Sequence, residues 1–473
     1  MPVQRRGFLR LVAGAIGLAA AGSSVTGLPA ALARPQLPGV RPTRRPARTL
    51  PKPTAALVTR WDADPWSRGS YSALPPGTSP SARRALAGLV LADRVVLAGE
   101  YASSNAPATT HGALASGDAA ARRLLDRLDP DRVLVVGAGI AGAAAAARLR
   151  DAGVEVVVLE ARERIGGRIH ANTDWGAPIE MGAAWIHGIT DNPVTTLARG
   201  AGLPLVPMDW ENAITRDTVT GKPSPAADQS DAQLLDLMDE LADAEPPLST
   251  STAGWLRNQG WSANRLHAWA QAVEISQEYG LDPAALGVRA FSEGDWQRGG
   301  DVLVGGDYAT VVQQLLAGIE VRLRTPVTSV LPGRGGIVAR GDSGLELSAD
   351  GAIIAVPVAL LQAGIPNLGP LPGPARTALA GLRTGSLEKV VLRYAEQWWG
   401  EVRAIGVVGG GAPGAPAGSQ AALRWTELVS ISDLVGFPAV VAFSGGSAAR
   451  TRPASDASCV AEAVAALEAA FRD

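Results

Sequence analysis

Cysteine is nearly absent from this sequence, because Cys459 is the only one among 473 residues. An intrachain disulfide is therefore excluded, and a metal site built on several cysteines is excluded with it. Charge of one sign is also lacking, since 43 Lys and Arg nearly balance 45 Asp and Glu, giving a net charge of −2. This balance provides no global attraction to nucleic acid or to an anionic membrane, so neither is expected as a partner.

The apolar run near the N-terminus, Leu11–Ala21, is too short to span a bilayer. It follows the pair Arg5-Arg6 and a Phe-Leu step, and residues 31–33 offer a small-x-small cleavage site. Residues 1–33 therefore resemble a bacterial twin-arginine signal peptide, with an uncleaved amphipathic N-terminus as the alternative. The signal implies export by the twin-arginine translocase to the periplasm, the cell wall or the exterior, with no stable membrane span after cleavage.

The length of the chain favours two domains, since 473 residues with 47% hydrophobic content can form more than one core. Between the signal and the first predicted strand, residues 34–54 hold six prolines among several arginines. This composition predicts an extended, mostly disordered linker.

A nucleotide-binding pattern lies at 132–160: a predicted buried strand, the turn GAGIAG, an alanine-rich helix and a second predicted buried strand. In this pattern Gly137 makes the turn, Gly139 lets the backbone approach a pyrophosphate, and Gly142 lets the helix pack on the strand. The helix N-terminus presents free N–H groups and the positive end of its dipole to the phosphates. The sequence therefore predicts a dinucleotide site in a Rossmann-type α/β domain.

Glu160 ends the second strand of this pattern. An acid at this place can accept hydrogen bonds from both ribose hydroxyls and disfavours a 2′-phosphate. FAD and NAD both meet that description, so these residues alone leave the two cofactors open.

Two blocks of sequence resemble the flavin-dependent amine oxidases, the family of polyamine oxidases, monoamine oxidases and lysine-specific histone demethylases. The first block is TRWDADPWSRGSYS at 59–72 with LAGEYASSNAPATTHGALASG at 97–117. The second is the glycine-rich turn with GGR at 166–168 and MGAAWIHG at 181–188. The resemblance extends, more weakly, over nearly everything from about residue 55 to 473. It implies the amine oxidase fold, a Rossmann-type FAD-binding domain plus an α+β substrate-binding domain.

The resemblance implies that the dinucleotide is FAD. Monoamine oxidases attach the flavin to a cysteine where this chain has Ser70, so noncovalent FAD is expected. Surface salt bridging is the alternative for Arg162 and the preferred interpretation for Arg164, and ordinary core packing is the alternative for Val327. The expected cofactor-binding residues are Gly137, Gly139, Ala141, Gly142, Glu160, Arg162, Gly167, Arg168, Met181, Gly182, Val327, Glu100, Thr109 and Thr110.

Lys389 is the predicted catalytic residue, on an alternating strand predicted at Leu387–Tyr394. A lysine that faces inward from an apolar strand is costly unless it has a partner. In amine oxidases the matching lysine holds a water against flavin N5, and a lysine pointing to solvent is the alternative here. The neighbouring Glu388, on the opposite face, is expected to be solvated.

Trp61, Tyr71 and His187 match positions beside the substrate in the family. Aromatic walls attract a cation and lower the pKa of an amine, and oxidation requires the neutral amine. Core packing is the alternative for the two aromatic residues, and a structural role is the alternative for the histidine. The His-Gly step and the continuation Asp191-Asn192-Pro193 favour a polyamine-type substrate.

The order of the two blocks departs from the family, because the portion that normally closes the chain precedes the portion that normally opens it. We therefore predict a circular permutation, with an error in the gene sequence as the alternative. The expected segments are 55–128, with the substrate cage and an FAD-binding helix; 129–203, the Rossmann segment; 204–295, a mostly helical substrate domain; 296–370, a return to the FAD domain; and 371–473, the substrate-domain sheet and closing helix.

The resemblance implies FAD-dependent oxidation of a small-molecule amine to an imine or aldehyde, with O₂ reduced to H₂O₂. An L-amino-acid oxidase is one alternative, and it requires a buried arginine for the substrate carboxylate, such as Arg393 or Arg424. A flavin-binding protein without turnover is a second alternative, against which Lys389 argues. An NAD-binding dehydrogenase is a third, and it would leave the block at 97–117 without a cofactor role.

Overall fold

The computed structural model describes residues 50–472 except 263, 295–297, 412–414 and 417. The predicted signal segment 1–33 and the linker up to residue 49 lie outside the described residues. Within the described part of the chain, no helix is both long and apolar enough to cross a lipid bilayer.

The strands are short, and in chain order they are β1 Ala55–Val58, β2 Ser72–Ala73, β3 Val90–Leu91, β4 Val95–Leu97, β5 Arg132–Val136, β6 Glu155–Leu159, β7 Ala171–Asn172, β8 Ile179–Glu180, β9 Trp185–Ile186, β10 Leu205–Pro207, β11 Ala213–Asp217, β12 Lys222–Pro223, β13 Val302–Val304, β14 Glu320–Arg322, β15 Val327–Gly333, β16 Gly336–Gly341, β17 Glu346–Ala349, β18 Gly351–Ile354, β19 Arg383–Thr384, β20 Leu387–Arg393, β21 Ala404–Val408, β22 Glu427–Ser430 and β23 Ala439–Gly445.

The α-helices are α1 Ser81–Ala87, α2 Thr110–Leu125, α3 Ile140–Asp151, α4 Pro193–Gly200, α5 Pro225–Asp243, α6 Thr252–Asn258, α7 Arg265–Gln271, α8 Ala309–Leu315, α9 Val358–Gln362, α10 Gly373–Gly381, α11 Ser432–Val435, α12 Gly446–Arg450 and α13 Asp456–Ala470. A π-helical turn, Ala272–Gln277, continues α7.

A six-stranded sheet in the order β14-β6-β5-β18-β4-β3 forms the first structural unit. All its strands are parallel except the edge strand β3. Helices α2 and α3 pack against each other so closely that a Cβ on Gly117 would lie 2.0 Å from the carbonyl oxygen of Ala141. The predicted Rossmann-type unit is confirmed, and it includes β4 and α2, which precede the glycine-rich turn in the chain.

A seven-stranded sheet in the order β1-β20-β23-β22-β21-β11-β12 forms the second unit. Its pairs are antiparallel except β11 with β21. Strand β20 lies second in the sheet, between β1 and β23, and both of its faces are covered. Val390 and Leu392 pack in the core that contains the C-terminal helix α13, whereas Val391 packs in a separate core on the other face.

The expectation that Glu388 is solvated is wrong, because its face of β20 lies under α13. The side chain is fully buried and accepts hydrogen bonds from Thr59 Oγ1 at 2.5 Å and from the backbone N–H of Asp62 at 3.2 Å. Arg452 lies 3.4 Å away and also pairs with Asp62 at 2.6 Å. Burial raises the pKa of Glu388 to about 7, although Arg452 opposes the rise.

The segment 204–295, predicted to be mostly helical, contains strands as well as helices, because it begins with β10, β11 and β12. Strand β11 pairs with β21, which lies almost two hundred residues further along the chain. Helix α5, whose apolar residues recur at helical spacing, buries Leu234, Met238 and Leu241 on one face. The apolar period of its own sequence therefore specifies the helix, whereas strand β11 depends on a distant partner.

Candidate active site

The carboxyl ends of four parallel strands, β4, β5, β6 and β18, meet at one edge of the six-stranded sheet. Each is followed within two residues by a residue that lines a cavity of about 280 Å³: Gly99, Gly137, Glu160 and Ala355. Ligands of open parallel sheets bind at this edge. The same cavity extends to residues of the seven-stranded sheet, so it joins the two structural units.

The glycines of the turn have separate roles. Gly137 adopts a φ of +107°, and a Cβ on Gly142 would lie only 1.9 Å from the carbonyl oxygen of Gly137. Gly142 therefore serves the packing of α3 and, unlike the other predicted cofactor residues, is not part of the described cavity lining. Gly139 has an ordinary φ of −75°, and a Cβ there would meet only the carbonyl oxygen of Gly166 at 3.9 Å. Its missing side chain keeps space open for a ligand.

Glu160 is buried at the end of β6, where its carboxylate accepts the backbone N–H groups of Ala138 at 2.8 Å and Arg162 at 2.9 Å. Two accepted bonds leave lone pairs on the carboxylate for ligand hydroxyls. The Arg162 side chain also lines the cavity and pairs with Asp64 at 2.5 Å. Val327 is buried and lines the cavity at the start of β15.

Glu100 connects the predicted cofactor residues of the two sequence blocks. Its carboxylate accepts Arg168 Nη1 at 3.1 Å, Ser72 Oγ at 2.6 Å and the backbone N–H of Ala108 at 3.1 Å. The fully buried Arg83 donates to Ser72 Oγ at 2.6 Å. Burial alone would raise the pKa of Glu100, but the charges of Arg168 and Arg83 hold it below its usual value. Glu100 is therefore an anion in the wall of the cavity.

The predicted threonines lie at the start of α2. Thr109 caps the helix by accepting the N–H of Gly112 at 3.0 Å, and Thr110 Oγ1 lies 3.0 Å from the hydroxyl of Tyr308. Both line the cavity, as do Ala141 and Gly167. The N-termini of α2 and α3 thus both border it, which provides positive dipole ends for an anionic ligand.

Lys389 projects from β20 into the cavity wall and is 4% exposed. Its Nζ donates to the carbonyl oxygens of Glu180 at 2.9 Å and Gly182 at 2.6 Å, and it lies 5.8 Å from the ring centroids of Trp185 and Phe443. Burial lowers the pKa of Lys389 to about 8, although the Glu180 carboxylate opposes the fall. The lysine can therefore exchange a proton near neutral pH.

Phe443 and Glu427 complete a row across three strands and were not predicted. Lys389 is the cross-strand neighbour of Phe443, and Phe443 is the neighbour of Glu427. All three line the cavity. No local motif marks the two missed residues, because they become neighbours only through strand register. Once the pairing of β20, β23 and β22 is known, their position follows from it.

The predicted substrate residues also line the cavity. Trp61 Nε1 donates to the carbonyl oxygen of Met181 at 3.1 Å, and the hydroxyl of Tyr71 donates to the carbonyl of Gln277. His187 Nδ1 lies 3.0 Å from Asp301 Oδ2. The remaining lining residues that sequence reasoning missed in this region are Ala184, Trp185, Trp210, Gln277, Glu278, Asp301 and Leu387.

Three arginines considered from the sequence lie outside the described cavity lining. Arg164 does not form the expected surface ion pair in the described structure; it is half-buried and donates to the carbonyls of Ile165 and Ile169. Arg424 pairs with Glu462 at 2.7 Å, and the guanidinium of Arg393 stacks 4.1 Å from the ring centroid of Phe437. Neither Arg393 nor Arg424 is part of the described cavity lining.

The family model of the flavin containing amine oxidoreductases matches residues 30–125 and 140–473. The chain belongs to this family. A model of the pyridine nucleotide-disulphide oxidoreductases matches residues 87–178, which include the glycine-rich turn. The family assignment settles the choice between a flavin and NAD in favour of the flavin.

Curated relatives include polyamine oxidase 4 of Oryza sativa subsp. japonica, 29% identical over 59% of this chain and 62% of the relative. Lysine-specific histone demethylase 1B of Mus musculus is 28% identical over 56% of this chain and 35% of its own length. The chain thus spans less than two thirds of the length of these relatives. A solved structure of putrescine oxidase bound to putrescine has a TM-score of 0.57 at 22% identity, over 72% of this chain and 81% of that chain, so the folds are alike.

The residues present fit FAD. The space beside Gly139, the two helix N-termini and the Glu160 carboxylate suit the pyrophosphate and ribose, and Arg168 adds a positive charge. Ser70 lines the cavity, while Cys459, the only cysteine in the chain, lies in α13, so no thioether can form at position 70. No group of three or more His, Cys, Asp or Glu side chains that could hold a metal is found in the described structure.

Gly139→Ala is expected to fold normally but to bind flavin poorly, because the added methyl group meets little protein and occupies the space beside the turn. We expect a change in unfolding free energy below about 1 kcal/mol. Flavin affinity should fall roughly 10- to 100-fold, as steric crowding of about 1–3 kcal/mol implies. Urea unfolding of the apoprotein and flavin fluorescence quenching measure the two quantities.

Gly200→Ala is the matched control, because a Cβ at Gly200 meets nothing within 4 Å and the residue ends α4, outside the described cavity lining. It should leave flavin affinity unchanged. Equal affinity in wild type and Gly139→Ala would contradict the assignment of this space to the cofactor.

Proposed function

We propose that this protein is an FAD-dependent amine oxidase whose substrate carries a second positive charge, as diamines and polyamines do. The observation that supports this most is the row of Lys389, Phe443 and Glu427, which lines the same cavity as the residues expected to bind the flavin. The products would be an imine, hydrolysed by water to an aldehyde, and H₂O₂ from O₂.

FAD, when bound, supplies the acceptor for a hydride equivalent from the substrate carbon and passes the electrons to O₂. The protein's part begins with the aromatic walls, where Trp61, Tyr71 and Trp185 exclude water and disfavour the charged form of the amine. The reacting amine is therefore held neutral, which its oxidation requires. Lys389 holds or releases a proton at Nζ near pH 8 beside this space. Positioning in a dry cavity supplies much of the rate acceleration.

A cationic substrate is supported by the charges at the substrate end of the cavity. Glu278, Asp301 and Glu427 line it, and Glu427 is 7% exposed. A buried carboxylate stabilises an ammonium group strongly, because the surroundings screen the attraction little. The relatives named polyamine oxidase and the putrescine-bound structure are consistent with such a substrate.

The alternatives have less support. An amino-acid oxidase needs an arginine for the substrate carboxylate, but Arg393 and Arg424 are engaged outside the described cavity lining. The lining arginines, Arg162 and Arg168, pair with Asp64 and Glu100 among the flavin-binding residues. A flavin-binding protein without turnover would have no need for Lys389, whose burial carries a desolvation cost.

Glu427→Gln should reduce kcat/KM for a diamine by roughly 10- to 100-fold, since a hydrogen bond to a charged group contributes about 1.5–3 kcal/mol. The monoamine of the same chain length is the control substrate, because it lacks the distal ammonium group and should lose little. Peroxide release measures both. A flavin-loaded protein that releases no peroxide with any amine would contradict the proposed activity, and equal losses for both substrates would contradict the role of Glu427.

We also propose that the chain is a circular permutation of the family order. The family match is divided at residues 126–139, which include the boundary between the predicted segments 55–128 and 129–203. Strand β1 pairs with β20, and Arg60 pairs with Asp456 of α13 at 2.7 Å, so the beginning and the end of the described chain lie side by side. Adjacent ends are what allow a permuted chain to keep its fold.

A rearranged chain tests the permutation: residues 129–473 followed directly by 55–128. Because the joined ends are neighbours, the rearranged protein should fold, bind one flavin and release peroxide at the rate of the chain 55–473. The flavin absorption spectrum and thermal unfolding provide the comparison. An insoluble rearranged chain beside a soluble chain 55–473 would argue against the proposal.

We further propose export through the twin-arginine route, on the basis of residues 1–33 alone. Replacing Arg5 and Arg6 together by Lys should retain the protein in the cytoplasm, because that pathway requires the arginine pair. Cell fractionation with detection of the flavoprotein measures the change. The control is a fusion of residues 1–33 to a reporter protein that is exported only when it is already folded. Export of the double-lysine variant would contradict the route.

A further inference from the structure

Lys389 lines two cavities, the large one and a second one of about 30 Å³. Ala184, Trp185 and Phe443 also line both cavities. The walls of the second cavity are mostly apolar and come from β13, β22, β23 and α11. Its polar lining residues are Lys389, Glu180 and Trp185. A cavity of this size holds about two water molecules.

Glu180 lines this second cavity, and one of its two carboxylate oxygens has no hydrogen-bond partner in the described structure. It is 8% exposed, and its Oε1 accepts the backbone N–H of Tyr308 at 2.7 Å. Among the described residues, Glu180 Oε2 and Trp185 Nε1 are buried atoms without a hydrogen-bond partner. Buried polar atoms of this kind are usually satisfied by ordered water when space is available. The small cavity provides that space.

Glu180 is also the charged group that faces Lys389. The lysine donates to the carbonyl oxygen of Glu180, so the two residues are fixed relative to each other by a direct hydrogen bond. Other groups that face the Glu180 carboxyl are Asp307, Arg164 and the hydroxyl of Tyr308. Burial raises the pKa of Glu180 to about 8, against the effects of the Tyr308 N–H and the Lys389 charge. Both groups therefore titrate in the same range.

We propose that Glu180 is a positioning residue for Lys389, exchanging a proton with it through water in the cavity that the two residues share. The N–H bond of the ammonium group breaks as a water molecule takes the proton, and that water gives a proton to the carboxylate, forming an O–H bond. No electrons are transferred, and the pair keeps its net charge of zero. This inference rests on the proposed function, since it assigns Lys389 the catalytic position.

The protonation of Lys389 can be measured directly, because the chain has only three lysines: Lys52, Lys222 and Lys389. Lys52 and Lys222 are exposed, whereas Lys389 is buried. Protein labelled with ¹³C at lysine Cε should therefore give three resolvable signals in the flavin-loaded enzyme. The chemical shift of each signal, followed against pH, reports the protonation of that lysine. No substrate or turnover is required.

In Glu180→Gln, Lys389 should lose its proton about 1 pH unit lower than in wild type, because the attraction of a nearby carboxylate is gone. The amide can still accept the N–H of Tyr308. Glu388→Gln is the matched control. It removes a buried carboxyl group that is next to Lys389 in the chain but lies on the opposite face of β20, where it accepts a hydrogen bond from Thr59. It should leave the midpoint of Lys389 unchanged, and Glu180→Asp should restore most of the wild-type midpoint.

The same midpoint in wild type and Glu180→Gln would overturn the inference, as would an equal shift in Glu388→Gln. If Glu180→Gln fails to fold, the wild-type titration decides. Two steps in the Lys389 signal would support the coupled pair, and a single step coincident with the exposed lysines would overturn it. A flavoprotein that oxidises no amine would refute the proposed function and leave this titration as informative as before.

Discussion

The buried carboxylate of Glu100 is the constraint on which the rest of the site depends. A carboxylate taken out of water is stable only when charges and hydrogen bonds compensate it. Here the compensation comes from Ser72 and Arg83 in the segment before the glycine-rich turn, and from Arg168 after it. Neither part of the chain can satisfy this group alone. Both must therefore be docked before the cavity between the two sheets exists.

Features encoded in consecutive residues could be predicted from the sequence. The glycine-rich turn is one, because the backbone of Gly137 and the close approach at Gly142 constrain residue type at each position. The inward lysine is another, since a charged side chain in an apolar strand is costly to bury unless it finds a partner. The amphipathic period of α5 is a third. In each case the physical cause lies within one element, so local sequence carries it.

Features that depend on distant partners could not be predicted. Strand alternation places Glu388 and Lys389 on opposite faces, but it does not say that α13 covers the face of Glu388. The strand β11 is specified by its pairing with β21, and Phe443 and Glu427 reach the cavity through the register of β20, β23 and β22. Register is set by the whole sheet, so a single strand does not reveal it.

The only thiol of the molecule lies at the contact between the first described strand and the last helix. Cys459 is fully buried in the core shared by α13 and β20, its Sγ donates to the carbonyl of Pro453 at 3.4 Å, and burial raises its pKa. A thiol reagent can reach it only after the helix has lifted from the sheet. The rate of its modification therefore records how often that local opening occurs, as amide hydrogen exchange does for a backbone group. Native dynamics at the contact between α13 and the sheet can therefore be followed without introducing a probe.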